Sequence, residues 1–118
     1  MQKIEFTKMH GLGNDFVIID QRKKDINLSK NFIRRIADRN KGVGFDQLAI
    51  ILSSKKADAE LVFFNSDGSQ SRTCGNATRC IAKHLMIEKK TNYLELSTDG
   101  MILIAKDVGG NLLSLIHI

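Results

Sequence analysis

The 118-residue sequence contains no stretch that approaches the roughly 18 consecutive apolar residues of a membrane-spanning helix. Its N-terminus, MQKIEFTKMHG, also lacks the apolar core of roughly 7–15 residues that a secretory signal peptide needs. We therefore expect a cytoplasmic protein that has no membrane partner.

Cysteine is scarce, with Cys74 and Cys80 as its two occurrences. Disulfides are rare in a reducing compartment, and two cysteines that share one helix with five residues between them cannot close a ring. Both sulfur atoms are then available for chemistry or for packing.

Aromatic residues make up 6% of the chain, while Lys and Arg give it a net charge of +5. The charge suits an anionic partner, whether a nucleic acid, a membrane surface or a small acid. The basic residues are spread over several segments, and neither stacking nor groove-binding motifs are evident. Nucleic-acid binding is therefore the least favoured of these functions.

What the sequence does contain is typical of one globular domain that spans residues 1–118, with 42% hydrophobic and 26% charged residues. Alternating and β-branched segments predict two strands in the first 20 residues, joined through GLGND. Further predictions are a helix capped by Ser29 that ends near residues 40–42, strands at 45–52 and 60–64, a turn at 65–68, a helix at 75–89, and a β-meander whose first hairpin turns at Asp99-Gly100.

These elements favour an α+β fold in which a mostly antiparallel or mixed sheet is wrapped around a central helix. A dinucleotide-binding fold is excluded, because GLGNDF lacks the third glycine and leads into a strand. In the second helix, apolar residues occur nearly all round the axis, which predicts that the sheet encloses it on most sides.

Cys74 lies at the predicted start of that helix, where unpaired backbone N–H groups and the helix dipole stabilise an anion. A thiol in this position loses its proton more easily, with Thr73, Asn76 and the Gly75 amide as nearby donors. The alternative is a small packed residue. Packing is the preferred interpretation for Cys80, which points about 240° round the helix from Cys74.

Three other segments place carboxamides beside glycines at strand ends: GLGNDF with Asn14, GVGFDQL with Gln47 and FNSDGS with Asn65. Taken singly, each segment is better explained as a tight turn, and a ligand contact is the alternative.

Taken together, MHGLGNDFVIID, RNKGVGFDQLAII, FNSDGS and CGNATRC resemble the N-terminal half of diaminopimelate epimerase, from about residue 6 to about residue 107. The resemblance implies a pyridoxal-independent isomerase without cofactor or metal, which interconverts LL- and meso-diaminopimelate on the route to lysine and peptidoglycan precursors. It also implies two similar lobes that face a cleft, each a sheet around a central helix.

By the same resemblance, Cys74 is one of two catalytic thiols, one acting as base and the other as acid on opposite faces of the α-carbon. The side chains of Asn14, Gln47 and Asn65 bind substrate, and Gly75 and Asn76 bind it through their amides. The family pattern Gly-Asn-Gly-Ala-Arg is replaced here by GNATR, so the backbone after Asn76 is less flexible.

The second lobe and its thiol are missing from the sequence, so we expect this fragment alone to be inactive. The final LLSLIHI does not continue the family pattern, which suggests an incomplete reading frame, and residues 114–118 carry little functional weight. A homodimer of the full-length protein is left open. The alternatives are a non-catalytic binding domain for an acidic amino acid and a proline racemase-like isomerase.

Overall fold

A computed structural model of the chain describes residues 4–11, 13–72 and 75–109, and the backbone of residues 112–117. Within these ranges the chain forms two helices and eight strands. The helices are α1 (Lys30–Ala37) and α2 (Gly75–Lys89). The strands are β1 (Thr7–Gly11), β2 (Asn14–Asp20), β3 (Gln47–Leu52), β4 (Ala59–Asn65), β5 (Gln70–Ser71), β6 (Tyr93–Thr98), β7 (Met101–Gly109) and β8 (Leu112–His117).

The strands form one mixed sheet with the order β1-β2-β3-β4-β6-β7-β8, and the short β5 pairs with β4. The β2–β3 and β4–β6 pairs are parallel, and the other described pairs are antiparallel. Short turns join the antiparallel neighbours, whereas α1 and α2 lie in the connections between the parallel ones. The predicted α+β class and the mostly antiparallel, mixed sheet are confirmed.

The hairpin at Asp99-Gly100 is the turn that the sequence predicts. Asp99 has φ 51° and Gly100 has φ 76°, and two consecutive residues with positive φ are what a two-residue turn of type I′ requires. The turn joins β6 to β7, and β8 completes the predicted meander.

Apolar side chains alternate along the central strands and form a core on each face of the sheet. On one face, Phe16, Ala49 and Leu61 pack with buried residues of α2. On the other, Val17 and Leu48 pack with buried residues of α1 and of the loops around it. The two faces of the sheet therefore each carry one helix.

Helix α1 begins where the sequence predicts, because the Ser29 hydroxyl accepts a hydrogen bond from the Phe32 backbone N–H at 3.0 Å. It ends at Ala37, earlier than the predicted end at residues 40–42. Asp38 is extended, and its carboxylate accepts from the N–H groups of Asn40 and Lys41 at 2.8 and 3.1 Å. This local bonding stops the helix by offering the backbone other partners.

The sheet wraps around α2, as predicted, since the core under this helix takes buried residues from β2, β3, β4, β6 and β7. The enclosure is less complete than the apolar pattern predicts. The fully buried residues of α2 fall on one stripe of the helix: Ala77, Thr78, Ile81, Ala82, Leu85 and Met86. Ile87, which the apolar pattern placed inside, is 80% exposed. The helix thus packs on the sheet with one face, and its apolar residues outside that face are not all buried.

Other boundaries differ in detail. Strand β1 begins at Thr7, and Phe6 is exposed. Strand β5, with only two residues, was not predicted, because a two-residue strand has no periodicity to detect.

In the part of the chain that the structure describes, neither helix is long and apolar enough to cross a membrane.

Candidate active site

Three predicted site residues lie at the same end of three neighbouring strands. Asn14 and Gln47 are the first residues of the parallel strands β2 and β3, and Asn65 is the last residue of the antiparallel β4. Gln47 pairs with Asn65 across β3 and β4, and with Phe16 across β2 and β3, two residues after Asn14. We call this part of the sheet the carboxamide end.

The strand alternation also places the three carboxamides on one face of the sheet. Asn14 shares a face with Phe16, Gln47 with Ala49, and Asn65 with Phe63, and these three apolar partners all belong to the core under α2. The carboxamides therefore continue the α2 face of the sheet beyond its apolar core, where Asn14 is exposed and Gln47 and Asn65 are half-buried.

Helix α2 begins near the carboxamide end. A Cβ built on Gly11, which pairs with Asn14, would lie 3.3 Å from the Cys80 Sγ in the second turn of the helix. The far end of α2 is held at the opposite end of β2, where the Arg22 guanidinium meets the Glu88 carboxylate at 2.8 and 2.9 Å. The helix thus runs along the sheet, with its N-terminal half toward the carboxamide end.

The amide groups of Gln47 and Asn65 are held by the segment that leads to α2. Gln47 Nε2 donates to the Ser71 hydroxyl at 3.4 Å, and Asn65 Nδ2 donates to the Ser69 hydroxyl at 3.1 Å. The Asn65 carbonyl also accepts from the Gly68 N–H at 3.0 Å, which closes the predicted turn. Asn65 is therefore both a turn residue and a side chain at the carboxamide end.

Gly75 and Asn76 open α2, as predicted, with Gly75 exposed and Asn76 half-buried. Helix-start N–H groups have no partner within the helix and can bind an anion. Thr73 and Cys74 lie outside the residues that the structure describes, so the catalytic role of Cys74 stays a prediction.

Cys80 follows the packing interpretation. Its side chain is half-buried and packs against the core cluster that includes Phe16 and Ile81. The close approach of its Sγ to Gly11 shows that it faces β1.

Sequence reasoning missed an ionic cluster that adjoins two of the site residues. Asp15 is only 7% exposed, and its carboxylate receives both Nη groups of Arg39, at 2.8 and 2.9 Å. Arg39 also bonds Asp46, at 3.1 Å, and Lys8 lies 3.5 Å from the Asp15 carboxylate. The hydrogen bonds from Arg39, helped by the Asp46 backbone N–H, hold the pKa of Asp15 far below its ordinary value, against the opposing effect of burial.

The available signal for this cluster was the pair of aspartates in GNDF and GFDQ, each next to a predicted site residue. Their partner Arg39 lies 24 positions from Asp15 and 7 from Asp46, and no local periodicity connects them.

A cleft of about 640 Å³ lies elsewhere, around the C-terminal end of α2 and the end of β7. Its lining mixes cationic side chains with the exposed Ile87 and Asp107, and it contains none of the predicted site residues. The carboxamide end, by contrast, brings together side chains that can bind a specific small ligand.

That chemistry suits an amino acid. Carboxamides both donate and accept hydrogen bonds, so they can bind an ammonium group through oxygen and a carboxylate through nitrogen. The N–H groups at the start of α2 add anion-binding capacity on the same side of the sheet.

The chain is similar to curated proteins named diaminopimelate epimerase. It is 50% identical over 109 residues to the protein of Pelagibacter ubique (strain HTCC1062), covering 92% of this chain and 39% of the relative. It is 41% identical over 119 residues to that of Psychrobacter sp. (strain PRwf-1), covering 90% of this chain and 41% of the relative. The chain therefore spans about two-fifths of the length of these relatives.

Solved structures share its fold at low sequence identity. A methylitaconate-delta-isomerase matches with a TM-score of 0.66 and 17% identity, over 92% of this chain and 35% of its own. A phenazine biosynthesis protein of Bacillus anthracis matches with a TM-score of 0.60 and 24% identity, over 92% of this chain and 36% of its own. A hydroxyproline epimerase from Agrobacterium vitis matches with a TM-score of 0.62 and 12% identity, over 93% of this chain and 40% of its own. At these identities, the likeness shows the fold alone.

The four motifs that suggested a family in the sequence lie on the elements just described, and Asn14, Gln47 and Asn65 come from three of them. The sequence pattern that defines the diaminopimelate epimerase family matches residues 6–111 and so includes all four motifs. The resemblance is confirmed, and the chain belongs to the diaminopimelate epimerase family.

Proposed function

We propose that this chain is the N-terminal lobe of an enzyme that interconverts LL- and meso-diaminopimelate. The observation that carries the proposal is the strand register, which brings Asn14, Gln47 and Asn65 to one end of the sheet beside the start of α2. Three carboxamides and a helix start then border one small area, as the recognition of one α-amino acid centre requires.

Substrate binding is shared between side chains and backbone in this proposal. The carboxamides of Asn14, Gln47 and Asn65 bind the polar groups of the substrate. The N–H groups of Gly75 and Asn76 bind the carboxylate at the reacting carbon, where negative charge grows as the α-proton leaves. Their fixed orientation lowers the barrier because no solvent has to reorganise during the reaction.

Inversion of one carbon requires a proton to leave one face and another to arrive on the opposite face. Cys74, as a thiolate, takes the α-proton and becomes a thiol, while a second thiol donates a proton to the other face and becomes a thiolate. The reverse reaction exchanges these roles, so the two directions balance without an oxidant or a pyridoxal cofactor. The second thiol comes from the part of the protein that the relatives have beyond the matched segment.

We further propose that the protein acts in the cytoplasm, on the route to lysine and peptidoglycan precursors. The 118-residue chain alone is inactive in this proposal, because one thiol reaches only one face of the α-carbon. Membership of the diaminopimelate epimerase family supports the proposed route.

A chimera tests the proposed reaction. The matched segment of this chain replaces its counterpart in the Pelagibacter ubique relative, to which it is 50% identical. We expect the chimera in D₂O to convert LL- to meso-diaminopimelate, with deuterium incorporated at the inverted carbon. The unmodified relative, assayed in parallel, serves as the control. A folded chimera that leaves diaminopimelate unchanged under conditions where the relative is active would refute the proposal.

A further inference from the structure

We propose that Asp15, Arg39 and Asp46 are positioning residues that hold Asn14 and Gln47 in the orientation needed to bind the substrate. The inference rests on the proposed function, because it assigns these three residues to the same site. None of them contacts the substrate in this proposal. Each aspartate acts through the carboxamide residue beside it in the chain, and Arg39 acts through the two aspartates.

Sequence adjacency gives the cluster its effect on the site. Asp15 directly follows Asn14 on β2, and Asp46 directly precedes Gln47 at the start of β3. Alternation along β2 turns Asp15 away from the face that carries Asn14, and Asp46, just before β3, bonds to Asp15. Hydrogen bonds that fix either aspartate therefore also fix the backbone from which the neighbouring carboxamide projects.

The two aspartates fasten β2 and β3 to each other beyond the regular ladder. The Asp46 N–H donates to the Asp15 carboxylate at 2.8 Å and to the Asp15 carbonyl at 3.1 Å. In return, the Asp15 N–H donates to the Asp46 carboxylate at 3.1 Å. These reciprocal bonds extend the β2–β3 pairing, whose first ladder pair is Phe16 with Gln47.

Arg39 makes this arrangement stable by joining both carboxylates. One guanidinium bonds Asp15 through two nitrogens and Asp46 through one of them. Without a cation between them, the two adjacent carboxylates would repel each other. The planar fork of Arg39 also fixes the direction of its bonds, which an ammonium group does not do.

The structure offers a matched control at the opposite end of the same sheet. Arg22 also joins two carboxylates with its guanidinium, at 2.6 Å to Asp20 and 2.8 Å to Glu88. Arg22→Lys thus removes a comparable guanidinium contact to two carboxylates while leaving the carboxamide end intact.

The experiment uses the 118-residue chain, labelled with ¹⁵N, and the variants Asp15→Asn, Arg39→Lys and Arg22→Lys. Side-chain amide signals of Asn14 and Gln47 report their orientation directly, and diaminopimelate is then titrated while the signals are followed. We expect Asp15→Asn and Arg39→Lys to shift and broaden these signals and to weaken binding about fivefold to tenfold, as the misplacement of one hydrogen bond implies. Arg22→Lys changes neither.

The two proposals fail in different ways. If the unmodified chain does not bind diaminopimelate, the proposed substrate recognition by this lobe is contradicted, and the amide signals still decide the positioning role. Arg39→Lys keeps the positive charge at a largely exposed position, so we expect the variant to fold. If it leaves the Asn14 and Gln47 signals unchanged, the positioning role is overturned. An equal response to Arg22→Lys also overturns it, because the effect would then be general loosening of the sheet.

Discussion

At the scale of single residues, the buried carboxylate of Asp15 couples the stability of the fold to pH. Its pKa lies far below the ordinary value, chiefly because of the Arg39 hydrogen bonds. A group with a lowered pKa contributes stability above its unfolded-state value, about 3.9 for aspartate, and the contribution is lost as the pH falls through that value toward the folded-state pKa.

We predict that Asp15→Asn flattens the acid part of the stability curve. Urea unfolding at about pH 6 and about pH 3 measures the free energy of unfolding at each pH. Between these two values, the unmodified chain should lose at least about 1 kcal/mol more unfolding free energy than the variant. Asp20 and Glu88, whose pKa values are also lowered by Arg22, remain in both proteins and supply the background slope. Equal losses in the two proteins would contradict the assigned cause.

Gly68 is a second position where one residue determines local structure. It has φ 89°, and a Cβ built there would lie 2.6 Å from the Lys30 carbonyl oxygen at the start of α1. Gly100 has a similar φ of 76° but open space around its Cβ position, so it serves as the control for backbone strain alone.

We predict that Gly68→Ala destabilises the chain by about 3 kcal/mol and Gly100→Ala by about 1 kcal/mol, because only the first adds a backbone clash to the cost of positive φ. Thermal unfolding of both variants measures the difference. Similar losses would show that the turn at residues 65–68 does not dock on α1.

At the scale of the elements, the sequence was most informative where periodicity and turn chemistry agreed. The cap at Ser29, the β6–β7 hairpin of the predicted meander and its Asp99-Gly100 turn are all local signals, and all three are confirmed. The early end of α1 depends on the conformation of Asp38, which the hydrophobic pattern does not record. The enclosure of α2 was overestimated because an apolar residue such as Ile87 can lie on an exposed face.

Two isoleucines of α2 test that correction. Ile81 is fully buried and Ile87 is 80% exposed on the same helix. We predict that Ile81→Ala costs about 3 kcal/mol of unfolding free energy, whereas Ile87→Ala costs less than about 0.5 kcal/mol. Denaturant unfolding compares them directly. A large loss for Ile87→Ala would mean that this face of α2 is covered in solution.

At the scale of the whole molecule, one mixed sheet with a helix on each face carries the site at one end. The motifs identified Asn14, Gln47 and Asn65, but their proximity follows from pairing between β2, β3 and β4, which links residues up to 51 positions apart in the chain. The ionic cluster behind them also depends on long-range contacts, and so only the structure reveals it. Family membership joins these observations to one proposed reaction.

The most direct test of that proposal compares Cys74→Ala with Cys80→Ala in the chimera described above, using deuterium incorporation at the α-carbon of diaminopimelate in D₂O. Since Cys80 packs against the core and faces β1, its variant serves as a control from the same sequence motif, CGNATRC. We predict that Cys74→Ala lowers the rate of epimerisation by at least about 100-fold, because removal of a positioned base costs that much. Cys80→Ala retains epimerisation. Epimerisation that persists in folded Cys74→Ala at the unmodified rate would contradict the account.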